Sequence, residues 1–206
     1  MVFIVEHENE GQSLLEADGL LSEEVTIRDA RPEDALEIHR VLRSSFEPLI
    51  SRGYSRIAVK CAIVEPWQIR KRIISGMTVL VAEDGPDIIG TVTGIKEQQS
   101  LRAVSLAVQP EYQRRGIGRK LLTALEYLAV DDDCHKIYVL TAWSMIEAAR
   151  LYLHLGYVQE GYLRRHSHGE DLVIFSKHFS QEDDIQWSFS SPKYEAIQSS
   201  WPYWLF

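Results

Sequence analysis

The order of hydrophobic patterns along the chain predicts an α/β domain. Strand-like segments alternate with segments of helical spacing, running strand, two helices, hairpin, central strand, helix, strand, helix, two strands. The apolar segment Leu101 to Val108 leads directly into a glycine-containing turn and then a helical stripe, a strand–turn–helix unit. The turn sequences Glu83-Asp84-Gly85-Pro86-Asp87 and His168-Gly169-Glu170 separate pairs of strand-like segments, so part of the sheet is antiparallel.

Met1 to Glu24 is acidic, with a short apolar start at Val2 to Val5, and reads as an N-terminal arm, either frayed or added to the sheet as an edge strand. The domain begins at Val25-Thr26-Ile27-Arg28, a short alternating strand. Arg31-Pro32-Glu33-Asp34 then starts a helix, with proline near its first position and acids in the first turn. Ile38, Val41, Leu42 and Phe46 form its apolar stripe, and Pro48 is expected to stop it. Residues 48–65 read as loop and short irregular pieces around Gly53-Tyr54, followed by a second short helix over Pro66 to Ile74.

Thr78 to Ala82 and Ile88 to Gly94 are the hairpin strands. Leu101 to Val108 is mostly apolar on both faces and therefore a buried strand, ended by Pro110. Leu121, Leu122, Leu125, Leu128 and Ala129 recur at helical spacing. Lys136 to Ala142 is rich in β-branched and aromatic residues and reads as a strand. Ser144-Met145-Ile146-Glu147 has the form of a capping box, predicting a helix from Met145 that ends at Gly156. Tyr157 to Leu163 and Asp171 to Phe179 close the domain. From Ser180 the composition turns polar and aromatic, ending in Trp201-Pro202-Tyr203-Trp204-Leu205-Phe206. This extension, residues 180–206, is expected to dock on its own domain or to build a homodimer.

Hydrophobic content of 45% and charged content of 25% are ordinary for a globular domain. A net charge of −8 disfavours nonspecific nucleic-acid binding. No apolar run approaches the length of a membrane span, and the N-terminus lacks the pattern of a signal peptide. Cys61 and Cys134 show neither metal spacing nor a disulfide framework. These features lead to the expectation of a cytoplasmic protein with no metal, no membrane and no nucleic-acid partner.

The chemistry lies in Val108-Gln109-Pro110-Glu111-Tyr112-Gln113-Arg114-Arg115-Gly116-Ile117-Gly118-Arg119-Lys120. A strand, a turn rich in N–H donors and a helix N-terminus together let a backbone hold a pyrophosphate. Gly116 and Gly118 leave room for an oxygen against the main chain, and Arg114, Arg115, Arg119 and Lys120 add positive charge. A P-loop would need a longer spacing between its glycines, then Lys and Ser or Thr. A dinucleotide fingerprint would need a third glycine where Leu121 stands. Gln113-Arg114-Arg115-Gly116-Ile117-Gly118 resembles, at every defined position, the Gln-x-x-Gly-x-Gly loop of the Gcn5-related N-acetyltransferases, the GNAT family, which grips the pyrophosphate of acetyl-CoA.

The resemblance extends over about Val25 to Phe179 and implies a mixed, strongly twisted sheet with helices on both faces. It implies that the strand before the loop splays from the next strand. The pantetheine arm then lies in the gap, against backbone groups at Leu106 and Val108. The implied acetyl-CoA contacts are Leu106, Val108, Gln113, Arg114, Arg115, Gly116, Ile117, Gly118, Arg119 and Met145. Members often carry Asn, a donor to the cofactor arm, where this chain has Met145.

Ala148, Leu151, Tyr152, Gly156 and Tyr157 resemble the family's A-x-x-L-Y-x-x-x-G-F/Y helix. The resemblance makes Tyr152 the group that protonates or hydrogen-bonds the departing thiolate, a task that suits a phenol. It also makes the Leu106 N–H the donor to the carbonyl oxygen. Where some members carry a glutamate base on the central strand, this chain has Arg102. Glu97, Glu47, His166 and His168 are the remaining candidates for the base, beside water and the substrate itself; Glu147 is assigned to the capping box. The expected reaction is direct attack of an amine on acetyl-CoA. The acceptor is a protein or peptide N-terminal amine, a lysine, or a small molecule such as a polyamine, aminosugar or antibiotic. The competing reading is a catalytically weak acyl-CoA sensor or interaction module.

Overall fold

The computed structural model describes residues 25–179, so the arm expected over 1–24 and the extension expected over 180–206 lie outside the described residues. Strands β1 (Thr26–Asp29), β2 (Thr78–Asp84), β3 (Asp87–Glu97), β4 (Ser100–Val108), β5 (Lys136–Ala142), β6 (Val158–Ser167) and β7 (Glu170–His178) form one seven-stranded sheet. Its order is β1-β2-β3-β4-β5-β7-β6. All neighbours are antiparallel except β4 and β5, which makes the sheet mixed. Helices α1 (Ala35–Ser51), α2 (Arg56–Ala62), α3 (Pro66–Ile74), α4 (Ile117–Asp131) and α5 (Ile146–His154) complete it.

The two faces of the sheet have separate cores. Strand alternation sends Leu80, Ile89, Val92, Leu101, Ala103, Ile137, Val139, Val173 and Phe175 to the α4 and α5 side. Val79, Val81, Ile88 and Ala107 go to the α1 and α3 side. The stripe of α4 is Ile117, Leu121, Leu122, Leu125 and Ala129; Leu128 falls at its edge and stays 37% exposed. The helix lies close on β3 because Gly94 has no side chain: a Cβ there would sit 2.9 Å from Leu125 Cδ1.

Beyond the parallel pairs Ser100–Ala103 with Lys136–Val139, β4 leaves β5. A bulge accompanies the departure. Thr91 faces Ala107 while Thr93 faces Val104, and Ser105 takes φ 56°. A gap therefore opens between the C-terminal ends of β4 and β5.

Several sequence expectations are corrected. Pro48 does not stop the first helix; it lies exposed in the last turn of α1, where it forgoes one bond, to Ser44 O, and the helix ends at Ser51. Arg31-Pro32-Glu33-Asp34 forms a 3₁₀ turn over Pro32–Asp34, and the α-helix begins at Ala35. Residues 48–65 are not loop throughout: α2 forms because the Ser55 hydroxyl accepts from Ala58 N at 3.3 Å. The first hairpin turn shrinks to Gly85-Pro86, with β2 and β3 longer than expected. The capping box at Ser144 is absent. The cap of α5 is Met145, whose side chain makes no cap bond. Gly156 ends α5 as expected, with Gly156 N on Leu153 O at 3.0 Å and Tyr157 N on Tyr152 O at 3.0 Å.

Candidate active site

The mouth of the β4–β5 gap is built by the loop between β4 and α4. After the 3₁₀ turn Pro110–Tyr112, Arg114 takes φ 66° and Gly116 φ 79°. Left-handed residues at alternate positions turn successive N–H groups toward one concavity. Among the described residues, none of the backbone N–H groups from Arg114 to Arg119 has an acceptor; the first bond of α4 is Lys120 N to Gly116 O at 3.0 Å. The dipole of α4 points its positive end at the same place. Arg114, Arg119 and Lys120 are exposed and make no ion pair among the described residues, while Arg115 stacks 5.4 Å over the Tyr112 ring. Such a cradle suits a polyanion.

The glycine positions keep that concavity open. Gly116 is the left-handed cap of α4, where an L side chain is strained. A Cβ on Gly118 would lie 3.5 Å from Leu151 Cδ2, which also shows that α5 stands beside the loop. Ile117 is buried in the main core and acts as the loop's anchor.

On β4, Gln109 N donates to Ile89 O at 2.9 Å, so alternation turns the backbone groups of Leu106 and Val108 toward the gap. The Val108 carbonyl is already occupied. It accepts from Gln113 Nε2 at 2.9 Å and from Ser45 Oγ at 2.8 Å, which leaves the Val108 N–H as its contribution to the gap. Gln113 thus ties the loop to the strand end through its side chain.

Tyr152 projects from α5 into the core and is 7% exposed. Its ring packs 5.8 Å from Tyr157 and 5.7 Å from Phe175. Its hydroxyl has no hydrogen-bond partner among the described residues, and burial pushes its pKa up to about 12. It is a neutral donor across the ordinary pH range. Burial likewise raises the pKa of Tyr157, with the Glu126 carboxylate adding to it. Met145 is half-buried at the start of α5, its carbonyl accepting from Ala149 N at 3.1 Å.

The candidate bases are scattered. Glu97 bonds the Tyr138 hydroxyl and pairs with Arg102 at 3.1 Å. Burial, then that bond, pushes Tyr138 up to about 12. Glu47 is exposed, 3.9 Å from Arg43. His166 and His168 are exposed on the β6–β7 hairpin, with His168 in its turn.

Sequence reasoning missed Tyr54. From the α1–α2 loop its hydroxyl donates to Ser144 O at 2.8 Å, joining the segments on either side of the gap. Burial, then Glu147, raises its pKa. No local pattern marks a contact between residues so distant in sequence. Beside Ser144 a cavity of about 470 Å³ is lined by Trp143, Arg164, Arg165, Glu170 and Asp171. Among the described residues no cluster of His, Cys, Asp or Glu is arranged to hold a metal, and no helix is long and apolar enough to cross a membrane.

The sheet is mixed with one splayed parallel pair, and the loop that suits a polyanion lies at the end of the splayed strand. Residues 75–159, covering β2 to α5, match the family model described as acetyltransferase (GNAT) domain. Over those residues the chain is similar to the acetyltransferases of this family. Solved structures agree on the fold. The PaiA N-acetyltransferase of Thermoplasma acidophilum, in complex with coenzyme A, is 19% identical, with TM-score 0.64 over 76% of this chain and 99% of that one. The ribosomal-protein-S18-alanine N-acetyltransferase of Escherichia coli is 16% identical, with TM-score 0.63 over 78% and 98%. YncA of Salmonella typhimurium, with its cofactor acetyl-CoA, is 19% identical, with TM-score 0.60 over 77% and 96%.

Proposed function

We propose that the protein is an acetyl-CoA-dependent N-acetyltransferase that acts on a primary amine by direct attack. The observation that carries this reading is the run of unpartnered N–H groups from Arg114 to Arg119 at the mouth of the β4–β5 gap. It fits the pyrophosphate of CoA in charge and in donor supply. PaiA and YncA, named with CoA and acetyl-CoA, support the same ligand.

In this reading Arg114, Arg115, Gly116, Ile117, Gly118 and Arg119 hold the pyrophosphate through backbone and charge, with Gln113 bracing the loop. The N–H groups of Leu106 and Val108 face the pantetheine arm. Met145 contacts the arm by packing alone, since a thioether donates no hydrogen bond. Bound acetyl-CoA supplies a thioester acyl group. The Leu106 N–H donates to the carbonyl oxygen as charge develops there; the amine nitrogen forms the C–N bond as the C–S bond breaks, Tyr152 gives its proton to the departing sulfur, and the proton released by the nitrogen returns to Tyr152 through water. A phenol held at a pKa of about 12 stays protonated until that sulfur needs it.

The acceptor is a protein or peptide N-terminal amine, a lysine or a small-molecule amine. The Escherichia coli relative, named for a ribosomal-protein alanine, favours the first of these. The test is free-thiol release from acetyl-CoA with a panel of amines, paired with mass detection of the acetylated amine. Thiol release that depends on one class of amine supports the reading. Binding without release on any amine would instead support an acyl-CoA sensor.

A further inference from the structure

The sheet face opposite α4 and α5 carries an apolar patch. On β5, Ile137, Val139 and Thr141 are buried on the helix side, so alternation turns Leu140 and Ala142 to the other face. On β7, Val173 and Phe175 are buried on the helix side, so Leu172 and Ile174 share the face of Leu140. The register places Leu140 opposite Ile174 and Ala142 opposite Leu172. On the far side Gly161 faces Ile174 and Leu163 faces Leu172. Leu140, Leu163, Leu172 and Ile174 are all half-buried, and they pack into neither core. They form an apolar floor.

The floor starts at the gap. Leu140 follows directly on Val139, the last residue of β5 registered with β4. Helices α4 and α5 fill the other face, so an acceptor reaches the gap from the floor side. At its opposite edge stands α1, whose Ser45 Oγ bonds Val108 O at 2.8 Å. At the hairpin end of this face Glu170, two residues before Leu172, lines the cavity beside Ser144 with Arg164 and Arg165; two ion pairs lie toward the closed end of the β4–β5 pair. Lys136 meets Glu160 at 2.8 Å, and Arg102 meets Glu97 at 3.1 Å.

We propose that the acceptor carries an aliphatic or aromatic group on the carbon next to its amine, and that Leu140, Leu163, Leu172 and Ile174 bind that group. This inference rests on the acetyl-transfer reading. Continuity of the floor with the gap is what assigns it to the acceptor. An apolar group gains by leaving water against these four side chains, none of which offers a charged group a partner.

The test uses the full chain and amino-acid amides that differ in side chain: leucinamide, phenylalaninamide, glycinamide, aspartic acid α-amide and lysinamide. For the wild type, kcat/KM for leucinamide should exceed that for glycinamide at least ~10-fold. Leu140→Ser should bring the ratio close to unity with the acetyl-CoA Kd unchanged by calorimetry. The β-branched Ile174→Thr, a smaller change in volume, serves as a second variant if Leu140→Ser fails to fold. A charged amide equal to leucinamide, or a ratio that survives both variants, would overturn the proposal.

A second readout does not need turnover. Methyl NMR of Ile174 and Leu140 in CoA-loaded protein should show saturable shifts with leucinamide and none with lysinamide. Those shifts without turnover of any amine would defeat the acetyl-transfer reading and leave the floor assigned; no shifts and no turnover would defeat the floor. Contacts from these methyls to Trp201 or Trp204, or shifts that track protein concentration, would give the floor to the chain's own extension or to a second copy and likewise overturn the proposal.

Discussion

Replacing Tyr152 with Phe separates chemistry from packing in one substitution. The ring is held between Tyr157 and Phe175 at 5.8 and 5.7 Å, and Phe keeps both contacts. The hydroxyl makes no hydrogen bond among the described residues, so its loss should change stability at pH 7 by less than about 1 kcal/mol. Burial raises the pKa from 10.0 to about 12, which means the folded state favours the neutral phenol. That contribution is complete below the unfolded pKa and is lost as pH rises through the folded one. The wild type should therefore lose stability relative to Tyr152→Phe between pH 10 and 12. The shift amounts to roughly 3 kcal/mol at the alkaline end. Tyr157 titrates in both proteins and cancels to first order. Urea denaturation from pH 7 to 12 reads the stability, and thiol release at pH 7 reads the chemistry. Turnover should fall roughly 10²-fold while acetyl-CoA affinity holds. Unchanged turnover would refute the role of the hydroxyl. A loss above about 1.5 kcal/mol at pH 7 would show that it makes a stabilising bond.

Three further outcomes follow from particular contacts. Gly118→Glu should fold, since its Cβ meets Leu151 Cδ2 at an ordinary 3.5 Å, yet weaken acetyl-CoA at least roughly tenfold by placing an anion in the cradle; calorimetry with unchanged affinity would displace the loop assignment. Leu125→Ala removes a fully buried side chain between α4 and β3 and should cost about 2–5 kcal/mol in urea denaturation, with a cost under 1 kcal/mol meaning that Gly94 and Leu101 do not define its site. Ser55→Ala removes the cap of α2, and a loss of about 0.5–2 kcal/mol is expected; no change would mean that α2 does not depend on the Ser55–Ala58 bond.

The strand–turn–helix unit was legible because each of its parts has a local cause. Apolar Leu101 to Val108 marks a strand, although only Leu101, Ala103 and Ala107 are buried and the other face stays half-exposed; Pro110 cannot extend a ladder, and the glycines permit the left-handed turn. The α5 ending was legible for the same reason, since Gly156 closes it through bonds to its own last turn. What escaped depends on contacts far apart in sequence. The departure of β4 from β5 follows from a bulge at Ser105, a residue whose type gives no notice of φ 56°. The occupation of the Val108 carbonyl needs Ser45 from α1, and the Tyr54–Ser144 bond crosses the gap. The start of α5 failed by one position. Ser144 spends its carbonyl on Tyr54 and Ile146, so the helix begins after Met145 and the box has no cap. The base escaped because none of Glu47, Glu97, His166 and His168 is set beside the gap by its neighbours in sequence.

The central claim is that the N–H groups from Arg114 to Arg119 hold the pyrophosphate of acetyl-CoA. Calorimetric titration of acetyl-CoA into the purified chain tests it most directly, with dephosphorylated pantetheine as the matched ligand that lacks the pyrophosphate. Saturable binding of acetyl-CoA, with pantetheine at least roughly a hundredfold weaker, is the predicted result. Equal affinity for the two, or no binding of acetyl-CoA, would contradict it.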